Sequence, residues 1–168
     1  IVVARDITLA RITGGKLHIA HTSTEGSVDL LRKAKAEGVS VTAEVTPHHL
    51  TLTEEAVFGF DSNFKVSPPL RTRRDAEALI RGIESGAIDV IASDHSPRRP
   101  ESKVLEFGLA PTGVIGLETL FPVVYTELVH RRGLPLSLVL GTMTASPARI
   151  LRIDRGTLGV GRPADVAV

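Results

Sequence analysis

Two side chains able to bind a metal or move a proton stand directly behind short apolar runs: His21 after Leu17-His18-Ile19-Ala20, and Asp94 after Ile88 to Ser93. A carboxylate at the end of an apolar strand must be desolvated, and that cost needs a cation or several donors to offset it. The chain has no cysteine, so any metal must sit on histidine and carboxylate, and disulfides and a thiol nucleophile are excluded together. Each residue also has a plainer reading. A strand-end histidine is more often a hydrogen-bonded core residue than a ligand, and an aspartate there can cap a neighbouring loop. A third polar cluster, Ser67 before Pro68-Pro69, follows the run Phe64-Lys65-Val66. Of the remaining histidines, His48-His49 read as a strand-to-helix turn, His18 as a buried partner of a polar core group, and His130 as solvated surface.

The elements that must position these residues alternate in kind. Leu17 to His21 reads as a strand. Thr22-Ser23-Thr24 offer caps for a helix running to about Glu37, where Gly38 suits the position just past its end. Val39 to Val45 alternates as a second strand, and Phe64 to Val66 is a shorter one. Thr72 caps a helix in which Ala76, Leu79, Ile80 and Ile83 follow the helical spacing until Gly86. Ile88 to Ser93 is a nearly continuous apolar run, as in a strand buried on both faces. After a loop to about Gly113, Leu117 to Arg131 reads as one long helix with Pro122 early in it, and Ser146-Pro147 as an N-cap followed by a first-turn proline. Such βα units predict an α/β fold with a parallel sheet. Polar clusters where several of its strands end coincide with the rim on which a (β/α)8 barrel builds its active site.

Composition narrows the function classes. Of 168 residues, 42% are hydrophobic and 23% charged, the balance of a chain that buries a core rather than a disordered one. The 20 Lys and Arg against 19 Asp and Glu leave a net charge of +1, and no aromatic residues interleave with the loop arginines, so nothing calls for nucleic acid. No apolar run is long enough to cross a membrane. Absence of cysteine fits a reducing cytoplasm. Ile1 and the strand-like run Arg162 to Val168 read as cut ends, so a longer parent is expected.

Four stretches carry a family resemblance: Leu17-His18-Ile19-Ala20-His21-Thr22-Ser23-Thr24, Thr42-Ala43-Glu44-Val45-Thr46-Pro47-His48-His49-Leu50, Lys65-Val66-Ser67-Pro68-Pro69-Leu70-Arg71 and Ala92-Ser93-Asp94-His95-Ser96-Pro97. Together with Ala110-Pro111-Thr112-Gly113-Val114-Ile115-Gly116-Leu117-Glu118-Thr119, they resemble successive signatures of class I dihydroorotases in order and spacing. The resemblance implies the C-terminal half of a (β/α)8 barrel over residues 1–156 and, over 157–168, the start of a strand segment of a small β domain. It implies zinc, one or two ions, with His21 and Asp94 as ligands and the remaining ligands upstream of Ile1. Asp94 would also be the catalytic proton carrier, and Ser67, Arg98, Thr112 and Gly113 would hold substrate.

The chain departs from that pattern at substrate positions. Ser67 stands where asparagine is usual, Arg98 where histidine is usual, and Thr112 where phenylalanine is common. Serine at that position is similar to hydantoinases. Arg98 can grip a carboxylate with two parallel hydrogen bonds, but it also reads as a solvated loop charge. The expected activity is therefore cyclic-amide hydrolysis on a small-molecule substrate in the cytoplasm, dihydroorotase first and hydantoinase or allantoinase second. A non-catalytic partner of aspartate transcarbamoylase and a homo-oligomer are also expected possibilities. Taken alone, the 168-residue chain is expected to be inactive and aggregation-prone, because a half barrel exposes sheet edges and an apolar face.

Overall fold

The structure, a computed structural model, describes residues 1–166. Three parallel strands, β1 (Leu17–Ile19), β2 (Val41–Val45) and β3 (Val90–Ile91), lie side by side in chain order. Leu17, His18 and Ile19 pair with Val41, Thr42 and Ala43, and Glu44 and Val45 pair with Val90 and Ile91. This register fixes which side chains share a face. On β2, Val41, Ala43 and Val45 are buried while Thr42 and Glu44 are half-buried, so the apolar alternate residues belong to the core and the polar ones, beside His18, form the opposite face.

The helices that cover the apolar face start where local chemistry tells them to. In α2 (Glu25–Ala36) the Thr24 side chain accepts from the Ser27 amide, and Gly38 takes the left-handed φ of 76° just beyond the C-cap. In α4 (Arg73–Glu84) Thr72 and Asp75 form a reciprocal capping box. Leu79, Ile80 and Ile83 of α4 pack with Val45, Ile88 and Ile91 of the sheet layer and with Val124, Leu128 and Val139. A second cluster joins Ile19, Val41 and Ala43 to Leu31 of α2 and to Ile7 of α1 (Val2–Thr13), a helix whose sequence pattern gives no clear expectation. Burying such side chains is worth about 1.5–3 kcal/mol each. The strand floor beneath His21 and Asp94 is therefore held from the helix side.

Several expectations are corrected. Phe64 to Val66 is not a strand: Ser62–Phe64 is a single 3₁₀ turn, with Asp61 capping the Asn63 amide, and Lys65 offers its carbonyl to the Gly113 amide instead of to a strand neighbour. The strand expected over Ile88 to Ser93 shrinks to β3, although hydrogen bonds from the Asp89 amide to Ala43 and from Ala92 to Val45 extend its pairing at both ends. Extension stops where Asp94 turns to φ 48°. The long helix over Leu117 to Arg131 begins only at Leu120, as α6 (Leu120–Val124), after α3 (Pro47–Thr51) and the four-residue α5 (Pro100–Lys103). It then widens into a π-helical stretch, Tyr125–Arg131, just after Pro122, which has no N–H to give.

Two short helices follow, α7 (Leu136–Met143) and α8 (Ala145–Leu151), and α8 is preceded by Thr144 rather than by Ser146, so Pro147 is its third residue. The strand expected towards the C-terminus is not formed between Thr157 and Val166; Ala167 and Val168 lie outside the described residues.

Candidate metal and active site

His21 and Asp94 each sit at the turn directly after the strand layer, and each has a positive φ, 52° and 48°. Residues other than glycine are uncommon in that conformation, and those held there cluster at functional sites. His21 Nε2 lies 3.9 Å from Asp94 Oδ1, and His48 Nε2 lies 3.8 Å from Asp94 Oδ2. Both separations are too long for a hydrogen bond. Two ligands of one zinc ion at tetrahedral angles stand about 3.4 Å apart, so the His21–Asp94 gap leaves room for a cation.

The buried side-chain polar atoms left without a hydrogen-bond partner among the described residues are His21 Nδ1, Thr22 Oγ1 and His48 Nε2, all at this rim. Buried polar groups are nearly always satisfied, and exceptions call for a ligand or a role in chemistry. The spacing of His21 Nε2 and Asp94 Oδ1 fits two ligands of one metal, but no group of three or more His, Cys, Asp or Glu among the described residues has the arrangement of a complete site. Burial first, then the neighbouring His49 and His21, push His48 down to about 3, so this imidazole is neutral at physiological pH. His49 is also pushed down by burial. Its Nε2–H donates to the Pro68 carbonyl at 2.9 Å, which leaves Nδ1 to accept from the Thr46 hydroxyl at 2.7 Å.

The residues expected to hold substrate are tied together by the loop that follows Asp94. Arg98 Nε donates to the Thr112 carbonyl at 2.7 Å and its Nη2 to Ser96 Oγ at 3.3 Å. The Gly113 amide donates to Lys65 O at 2.9 Å, two residues before the exposed Ser67. His95 does not face His21; its Nδ1 accepts from the Gly116 and Leu117 amides, and it bridges Val114. Gly113 has φ 131°, and a Cβ there would lie 2.5 Å from the Ser96 carbonyl oxygen. Gly113→Ala must therefore move the loop that carries Thr112 and Arg98. In the full-length protein we expect a KM at least about tenfold higher, the effect of losing ~1.4 kcal/mol of binding, in steady-state assays.

Sequence reasoning passed over Glu44 and gave His48 only a turn. The signal for both was present: Thr42 and Glu44 are the polar alternates of an otherwise apolar strand, and Pro47-His48-His49 follows at its end.

The amidohydrolase family profile matches residues 2–168. The chain belongs to the amidohydrolase family. Among curated relatives, the chain is similar to proteins named dihydroorotase from Caldanaerobacter subterraneus subsp. tengcongensis, at 52% identity over 168 residues, and from Pelotomaculum thermopropionicum, at 54% over 169 residues. Each match covers 100% of this chain and 39% of the relative, so the chain spans about two-fifths of their length. Among solved structures it is similar to the L-hydantoinase (dihydropyrimidinase) of Arthrobacter aurescens, with a TM-score of 0.90 and 30% identity over 96% of this chain and 37% of that one. The D-hydantoinase (dihydropyrimidinase) of a Thermus species gives the same TM-score at 28% identity, with 96% of this chain and 37% of that chain covered. The parallel βα layer of this amidohydrolase is accordingly part of a (β/α)8 barrel. No helix among the described residues is long and apolar enough to cross a membrane.

Proposed function

We propose that this amidohydrolase chain is the C-terminal part of the barrel of a zinc-dependent dihydroorotase, which interconverts dihydroorotate and N-carbamoyl-L-aspartate. The observation that carries the reading is the His21–Asp94 pair, with His21 Nε2 held 3.9 Å from Asp94 Oδ1 at the strand ends. Identity of 52% to a relative named dihydroorotase supports the same reading. His21 and Asp94 would hold zinc, with the other ligands on the rest of the parent protein. What bound zinc supplies is polarisation of the ring amide carbonyl and acidification of water near neutral pH.

Asp94 carries the proton. One of its oxygens accepts it from the attacking water as the C–O bond forms, and returns it to the ring nitrogen as the C–N bond breaks, so the product leaves with a neutral carbamoyl nitrogen. Arg98 and Ser67 would meet the substrate carboxylate and ring edge, and the Thr112-Gly113 backbone would line the ring. Large apolar residues such as Ile12, Leu117 and Leu151, each more than 60% exposed, fit a chain that packs against the remainder of a barrel.

A hydantoinase is the second reading, favoured by Ser67 and by the structural likeness to hydantoinases. The test is steady-state kinetics of the full-length, zinc-loaded parent on dihydroorotate, carbamoyl aspartate, dihydrouracil, hydantoin and allantoin. A kcat/KM for dihydroorotate at least about 100-fold above the others supports dihydroorotase, since a site built for a carboxylate rejects rings that lack one. Preference for hydantoin overturns it in favour of the second reading. No turnover of any ring by a zinc-loaded protein leaves the non-catalytic partner of aspartate transcarbamoylase.

A further inference from the structure

Glu44 is half-buried on β2, with its side chain 16% exposed, and it is shared between two imidazoles. One oxygen, Oε2, lies 3.1 Å from His18 Nε2; the other, Oε1, lies 3.4 Å from His21 Nδ1. No Lys or Arg pairs with Glu44 among the described residues. Behind it, His18 Nδ1 lies 2.8 Å from Thr42 Oγ1. The strand register explains the alignment, because His18 and Thr42 are direct partners and Glu44 is the next residue on the same face of β2.

We infer that Glu44 is the positioning residue for His21, completing a chain Thr42–His18–Glu44–His21. With His18 Nε2–H donating to Oε2, its Nδ1 is left to accept from the Thr42 hydroxyl, and the carboxylate is anchored on one side. The free oxygen, Oε1, then faces His21 Nδ1. At 3.4 Å the contact falls outside hydrogen-bond geometry, Nδ1 has no other partner among the described residues, and Oε1 is the acceptor placed beside it. Nδ1–H donation fixes the tautomer in which Nε2 is an unprotonated lone pair, and Nε2 is the atom that faces Asp94. A carboxylate behind a ligating imidazole raises its basicity and fixes its plane. Glu44 is thus an acceptor behind His21 and never touches the reacting atoms.

This inference rests on the metal site of the proposed function, and it is tested in the full-length protein with zinc alone as the probe. Glu44→Gln keeps the shape of the side chain but turns one oxygen into a donor, so it cannot accept from both histidines. Zinc affinity, measured by chelator competition, should fall about 10–100-fold. His18→Gln removes the anchor and leaves Glu44 intact; zinc affinity should fall by a smaller factor, a split that a merely structural role would not produce, and this variant keeps the test open if Glu44→Gln does not fold. If wild type holds zinc and both variants hold it as tightly, with only the melting temperature lowered, the inference is overturned and the function stands. A wild type that holds no zinc overturns both.

Discussion

On the proposed function, replacing Asp94 by asparagine in the full-length protein should lower kcat for ring opening by about 10³-fold or more, because the variant would have no group to accept the water proton and return it to the leaving nitrogen. Asparagine keeps one carbonyl oxygen, so the fold and one oxygen that the proposed zinc would use survive. The loss should therefore be seen in kcat at saturating substrate more than in KM, as for an interaction made only in the transition state. Measured kcat within about tenfold of wild type would remove Asp94 from the chemistry and leave its left-handed backbone, φ 48°, as a structural turn.

The other large effect concerns stability. Leu79 is 1% exposed in α4 and packs in the cluster that joins the helix to Val45 and Ile91, the strand residues just before the Thr46 turn and the segment leading to Asp94. Leu79→Ala removes three carbons from a close-packed site and leaves a cavity, which should destabilise the full-length protein by about 2–5 kcal/mol in urea unfolding. Because α4 supports the strand floor and touches no substrate, the folded fraction of the variant should keep a KM close to wild type. A loss below about 1 kcal/mol would mean that α4 does not clamp β2 and β3.

These two substitutions separate the chemistry of the rim from the packing that presents it. The same separation accounts for the corrected elements. The 3₁₀ turn at Ser62–Phe64 and the short β3 both lie next to the site, where backbone groups of Lys65 and Ser96 bond the loop carrying Gly113 and Val114 rather than a neighbouring strand. Sequence periodicity reports burial, and Phe64-Lys65-Val66 is apolar enough to look like a strand although its hydrogen bonds lead elsewhere. The capping of α2 and α4 was legible because it is local, a Thr side chain meeting an amide three residues on.

By itself the sequence determined the parallel βα rhythm, the helix starts at Thr24 and Thr72, and the strand-end placement of His21 and Asp94, since each depends on neighbours within a few residues. Only the tertiary structure decided that these two side chains face each other across 3.9 Å, that His48 stands on the far oxygen of Asp94, and that Glu44 lies between His18 and His21. Residues 73 positions apart in the chain, as His21 and Asp94 are, meet only through the register of three strands and the helices packed beneath them. That register is set by burial of Val41, Ala43 and Val45 on one face, which turns Thr42 and Glu44 towards the other.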